Sequence, residues 1–134
     1  MTPQELFDTA LLGVIAQDAC SYNTEGGEVQ CLYRDGKGNK CAAGQLIPDD
    51  QYKPDMEGQP ASIIDFSFGS TPEHGRAIDF AQDIHDSAAQ SVADDLTLQS
   101  ALARALATHE AAWRRGKGVP VSTAAIRAAI EAMP

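Results

Sequence analysis

Basic residues are scarce in this chain: 10 Lys and Arg stand against 19 Asp and Glu, a formal net charge of −9. A surface of that sign repels phosphate backbones and argues against nucleic acid as a partner. It can dock on a basic protein, or do no more than keep the chain soluble. Aromatics are equally few, at 6%. With alanine frequent in the second half, this favours closely packed helices over a β-sandwich, whose strands want β-branched and aromatic residues. The longest apolar run near the N-terminus, Ala10 to Ala16, is far too short to span a bilayer. The opening MTPQELFDTA lacks the basic start of a secretory signal. Cysteine is limited to Cys20, Cys31 and Cys41, an odd count without an export signal, so reduced thiols in a cytoplasmic chain are expected.

What is present suffices for a core. With 134 residues, 43% of them apolar, the length fits a single domain over 1–134. Thr2-Pro3-Gln4-Glu5 reads as a capping box with proline at the first helical position. Leu6, Phe7, Ala10, Leu11 and Val14 then share one helical face, ending near Ala19 before the polar stretch 21–28. Val29 to Arg34 predicts a short strand, and 48–70 is rich in proline and glycine, with Ile63, Ile64, Phe66 and Phe68 as apolar anchors. Thr71-Pro72-Glu73 opens a second helix with Ala77, Ile78, Ala81, Ile84 and Ala88 on one stripe and Asp79, Asp83 and Asp86 opposite, as a solvated face. A third helix follows Asp94-Asp95, carries Leu102, Leu106, His109 and Trp113 on one stripe and ends at Arg114-Arg115-Gly116. Ser122 caps a last helix with Ile126, Ile130 and Met133. The fold class expected is mainly α, about four longer helices with a short β-hairpin or irregular insert at 29–70.

The segment CLYRDGKGNKCAAGQLIPDDQY, residues 31–52, is where chemistry would sit. As a hairpin with a loop at 35–39, it sets Arg34 opposite Lys40 and Tyr33 opposite Cys41. The favoured alternative makes Asn39 the N-cap of a short helix from Lys40 to Pro48. Cys41 then lies in a first turn, where exposed N–H groups stabilise a thiolate nucleophile. Its base would be His85, on the inward edge of the second helix. Asp86, one residue on, points away by helical geometry; the carboxylate that orients the base would be Asp49, Asp50 or Asp65. His74 falls in an exposed first turn. Cys31, Cys41 and His85 are also a conceivable zinc set, although the spacing between the cysteines is wider than that of common zinc sites. The glycines of RDGKGNK lack the spacing of a phosphate-binding loop and read as turn residues.

Cys31, Tyr33, Arg34, Gly38, Cys41, Ala42, Gly44, Leu46, Ile47, Pro48, Asp49, Tyr52, Met56, Glu57 and Gly58 form the pattern C-x-Y-R…G-x-x-C-A-x-G-x-L-I-P-D-x-x-Y…M-E-G, with Ile84-His85-Asp86 on a later helix. This pattern, with the opening Gln4-Glu5-Leu6-Phe7-Asp8, resembles a group of small phage- and prophage-encoded proteins. Residues 92–134 lie outside the resemblance, as a family-variable helical part. The resemblance implies a phage-type accessory context in a host cytoplasm, supplies no catalytic residues, and groups Cys31, Cys41 and His85 into one cluster. The function expected first is non-enzymatic binding of a host or phage protein, with no membrane and no nucleic acid. The alternatives are a cysteine enzyme acting on an amide or thioester through Cys41, His85 and Asp49, and a small zinc-stabilised domain.

Overall fold

The computed structural model describes residues 1–60 and 71–134. The fold is mainly α: the described residues form four helices and one two-stranded antiparallel sheet. Helix α1 runs Pro3–Gln17 and is opened by the expected capping box, with Thr2 Oγ1 accepting the Glu5 N–H and Glu5 accepting the Thr2 N–H. It stops at Gln17 because Asp18 turns left-handed. Helix α2 spans Pro72–Ala93 behind a Thr71 cap, α3 spans Leu98–Gly116 behind a Thr97 cap, and α4 spans Ala124–Glu131. Ser122 Oγ accepts the Ala124 N–H at the start of α4.

An aromatic spine joins the first three helices. The Phe7 and Phe80 rings stack with centroids 5.3 Å apart, and Phe80 meets Trp113 at 5.2 Å. Helix α2 is therefore buried on two sides, against α1 and against α3, so its buried surface extends beyond one stripe to include Phe80 and His85. Gln4 on α1 exchanges two hydrogen bonds with the backbone of Ser122, tying the lead-in of α4 to the start of the chain. Glu110 on α3 holds Arg127 of α4 and accepts from the Thr123 hydroxyl. Among the described residues no helix is long and apolar enough to cross a membrane.

The insert departs from expectation in two places. The polar stretch 21–28 is not merely a helix break: Tyr22–Asn23 (β1) pairs with Gln30–Cys31 (β2), Tyr22 opposite Cys31. And no helix begins at Lys40. Arg34 bridges Lys40 across the five-residue loop, as the hairpin alternative has it, and only a short 3-10 turn, Ala43–Leu46, precedes Pro48.

The reason lies in who takes the backbone groups. Gln17, at the end of α1, accepts the Lys40 N–H at 3.0 Å and donates to the Lys40 carbonyl at 2.6 Å, holding that residue extended. Asp35 accepts the N–H groups of Lys37 and Asn39, at 2.8 and 2.9 Å, and so closes the loop itself. Asn39 turns its amide onto Asp35 instead of capping a helix. Gly38 supplies the left-handed residue of the loop, at φ +90. Ile63, Ile64, Asp65, Phe66 and Phe68 lie outside the described residues.

Candidate functional site

The motif residues of the insert hold one another. Both Glu57 carboxylate oxygens accept consecutive backbone N–H groups, Tyr33 at 2.8 Å and Arg34 at 3.1 Å, and the Tyr52 hydroxyl donates to Glu57 at 2.6 Å. The Arg34 guanidinium reaches Asp49 at 2.8 Å and the Ile47 carbonyl at 3.0 Å, and its charge sits 4.5 Å over the Tyr52 ring. Tyr33 donates its hydroxyl to the Gln59 carbonyl. Pro48 ends the 3-10 turn and offers its carbonyl to the N–H groups of Gln51 and Tyr52. Gly44 passes so close to Tyr33 that an added Cβ would lie 2.1 Å from the Tyr33 carbonyl oxygen. Asp49, expected to orient a catalytic histidine, is instead an exposed partner of Arg34 and Lys40, and these cations hold its carboxyl below the usual range.

Helix α2 grips this insert through Gln82, His85 and Asp86. The Ser21 N–H donates to His85 Nε2 at 3.1 Å. That nitrogen must therefore carry a lone pair, which places the ring proton on Nδ1, where it donates to Asp86 Oδ1 at 2.9 Å. Adjacent helical residues were expected to diverge. The His85 ring is fully buried while Asp86 is half-exposed, and the two side chains bend to meet at the edge of the buried face. Gln82 donates to the same Asp86 oxygen at 2.7 Å and accepts the Ala43 N–H at 2.9 Å. One helical face thus ties down the segment after α1, strand β2 and the 3-10 turn.

Cys41 is 1% exposed, and its sulfur accepts the Gly44 N–H at 3.3 Å. Burial pushes its thiol up to about 12, against the opposing pull of that N–H. The expected base does not serve it: His85 gives Nε2 to Ser21 and Nδ1–H to Asp86. Cys31 comes together with His85 as the zinc set expected, but the third member is Asp86. The Cys31 sulfur, a His85 ring nitrogen and an Asp86 oxygen all lie within 4.8 Å of one another, and Cys41 stands outside the group. Burial first, and then the Asp86 carboxylate, push the Cys31 thiol well above its ordinary value.

Between the insert and helices α2 and α3 lies an open cleft of about 720 Å³. Cys31, Tyr33 and Gln59 form one wall; Gln82, Asp83, Asp86, Ser87, Gln90 and His109 form the other. Asp83 and Asp86, expected on a solvated face, are half-buried here and oriented by neutral donors. The Trp113 indole N–H meets Asp83 at 2.9 Å, while His85 and Gln82 hold Asp86. Among the described lining residues there is no Lys or Arg. His109, expected in mid-stripe, leans instead toward α2 and bonds Ser87 Oγ at 2.5 Å. His74 bonds the Met1 carbonyl at 2.7 Å, near the chain start.

Of the residues singled out in the sequence, the structure brings Cys31 and His85 together with Asp86 and packs Tyr33, Gly44, Pro48 and Tyr52 within the insert, whereas the contacts of Ser21 and Gln82 and the placing of Asp83 were not anticipated. Gln82 carried a usable signal, standing three residues before His85 and so on the same helical face. Compared with family models, with curated proteins and with solved structures, the chain matches none.

Proposed function

We propose that this chain is a small acidic accessory protein of the phage type that works by binding another protein, and that its cleft takes a Lys- or Arg-bearing segment of the partner. One observation carries the reading: two carboxylates, Asp83 and Asp86, face the cleft, each fixed by neutral donors and neither paired with a Lys or Arg among the described residues. Four glutamines, Gln30, Gln59, Gln82 and Gln90, line the same walls and suit the backbone of an extended segment, since an amide both donates and accepts. The net charge of −9 steers a basic partner toward the molecule. The burial of Cys41 and the engagement of both His85 nitrogens weigh against thiol catalysis.

The test uses labelled peptide pools that are Lys/Arg-rich, neutral or acidic, with binding followed by fluorescence anisotropy. The Lys/Arg pool binds, the others do not, and Asp83→Asn and Asp86→Asn each weaken binding roughly tenfold, the worth of a hydrogen bond to a charged group. Equal binding of all pools, or Lys/Arg binding unchanged in both variants, contradicts the reading.

A further inference from the structure

The cluster at the base of the cleft is built from three kinds of metal ligand, and Ser21, in contact with it, carries a buried polar atom unpartnered among the described residues. The Cys31 sulfur, a His85 nitrogen and an Asp86 oxygen lie within 4.8 Å of one another. Ligand atoms held tetrahedrally by zinc sit roughly 3.3–3.7 Å apart, so small side-chain adjustments close the set. Thiolate, imidazole and carboxylate together suit a borderline divalent ion such as zinc and not the hard ions calcium or magnesium. We propose that Cys31, His85 and Asp86 bind one such divalent ion, with the cleft side left open for a fourth ligand.

The hydrogen bonds say how the ion enters. The Nδ1–H of His85 is directed at Asp86, so the two groups an ion would bridge already face each other. Coordination through Nδ1 moves that proton to Nε2, which now accepts from the Ser21 N–H. A ligating histidine needs an acceptor for its other ring N–H. Ser21 supplies one: it is fully buried, and its Oγ has no hydrogen-bond partner among the described residues. A small shift of Ser21 exchanges its N–H for its hydroxyl oxygen at Nε2. Two hydrogen bonds, His85 Nδ1–H to Asp86 and Ser21 N–H to Nε2, give way to one, Nε2–H to the Ser21 hydroxyl oxygen, while three coordination bonds form, and coordination wins. The balance is simple: the Cys31 thiol loses its proton to solvent, a sulfur–metal bond replaces the S–H bond, and the imidazole stays neutral. Cys31 and Asp86 both line the cleft whereas His85 is buried behind them, so the fourth position faces solvent. The ion neutralises Asp86 and so competes there with a basic segment.

The experiment titrates the chelator-treated full chain with Co²⁺. The expected result is one equivalent bound, with thiolate-to-cobalt charge-transfer absorption and one proton released per ion. Cys31→Ser, with an unchanged circular dichroism spectrum, abolishes the charge-transfer band. Ser21→Ala keeps the band and weakens binding about 10-fold to 100-fold, the range for a lost partner of a metal-ligating histidine. Should Cys31→Ser not fold, the His85 ring nitrogens of the wild-type chain decide: after zinc addition, a proton on Nε2 supports the site and a proton still on Nδ1 overturns it. No charge-transfer band at millimolar cobalt, or a band that persists in Cys31→Ser, also overturns it.

Discussion

Ser21 donates its backbone N–H to Nε2 of His85 across 64 positions of sequence, at 3.1 Å and in full burial. This bond fixes the tautomer of His85 and makes Asp86 its acceptor. An Asp–His pair that looks catalytic thereby becomes the clamp between α2 and the insert.

The thiols follow from the same burial. At neutral pH a thiol whose pKa lies near 12 is about one part in 10⁵ thiolate, against a few per cent for an ordinary cysteine. Cys41 of the folded, metal-free chain therefore alkylates with iodoacetamide about a thousandfold or more slower than a free thiol. The Cys20 and Cys31 thiols are raised by burial as well, so all three label slowly. Mass spectrometry after timed quenching checks the rates. Rapid labelling of Cys41 at pH 7 would restore it as a nucleophile.

A pH dependence accompanies these values. The Cys20 and Cys41 thiols are both raised to about 12 by burial, above their unfolded values near 9. Below pH 9 both states hold the protons and the contribution is complete. Between pH 9 and 12 the unfolded chain alone releases them, so stability falls by about 1.4 kcal/mol per pH unit for each thiol. Urea midpoints measured from pH 8 to 11 should decline, and Cys41→Ala should flatten part of the slope. A level profile refutes the assignment.

Two glycines give a contrast in magnitude. An alanine at Gly44 would place Cβ 2.1 Å from the Tyr33 carbonyl oxygen, which is backbone and cannot step aside. Gly44→Ala should cost roughly 2 kcal/mol or more by overpacking. At Gly13 the atoms nearest the added Cβ all belong to the flexible Gln45 side chain. That side chain can swing away at the loss of its bonds to Gln17 and Lys40, while α1 gains up to about 1 kcal/mol of helix propensity. Thermal melts should show Gly13→Ala within about 1 kcal/mol of wild type and Gly44→Ala far below it.

Glu57 is the hub of the insert. Glu57→Ala leaves the N–H groups of Tyr33 and Arg34 without their acceptor and should destabilise the fold by about 2–4 kcal/mol. Tyr52→Phe removes only the hydroxyl bond to Glu57 and should cost about 1 kcal/mol. Chemical denaturation separates the two; equal small losses would mean that the carboxylate is not what closes the insert.

The helices were legible because their signals are local. Thr2 and Thr71 each precede proline and cap through the hydroxyl, and the apolar spacing of α1 names its buried residues correctly. The insert was not, because distant side chains decide it. Nothing near Lys40 announces that Gln17 will take both of its backbone groups and keep it from starting a helix. The His85–Asp86 contact was discounted on helical geometry, which holds for two exposed neighbours. It fails where one ring is buried at the edge of the core and its neighbour's carboxylate folds back to meet it. Asp83 and Asp86 read as solvent-facing because the insert that walls the cleft is invisible to helical periodicity.

The proton of His85 is directly observable. A long-range ¹H–¹⁵N correlation spectrum of the chelator-treated chain at neutral pH distinguishes the two neutral tautomers and the imidazolium. The structure predicts a neutral ring with its proton on Nδ1 and an unprotonated Nε2 held by Ser21. A proton on Nε2, or a doubly protonated ring, would contradict the clamp and with it the reading of the cleft as a binding surface.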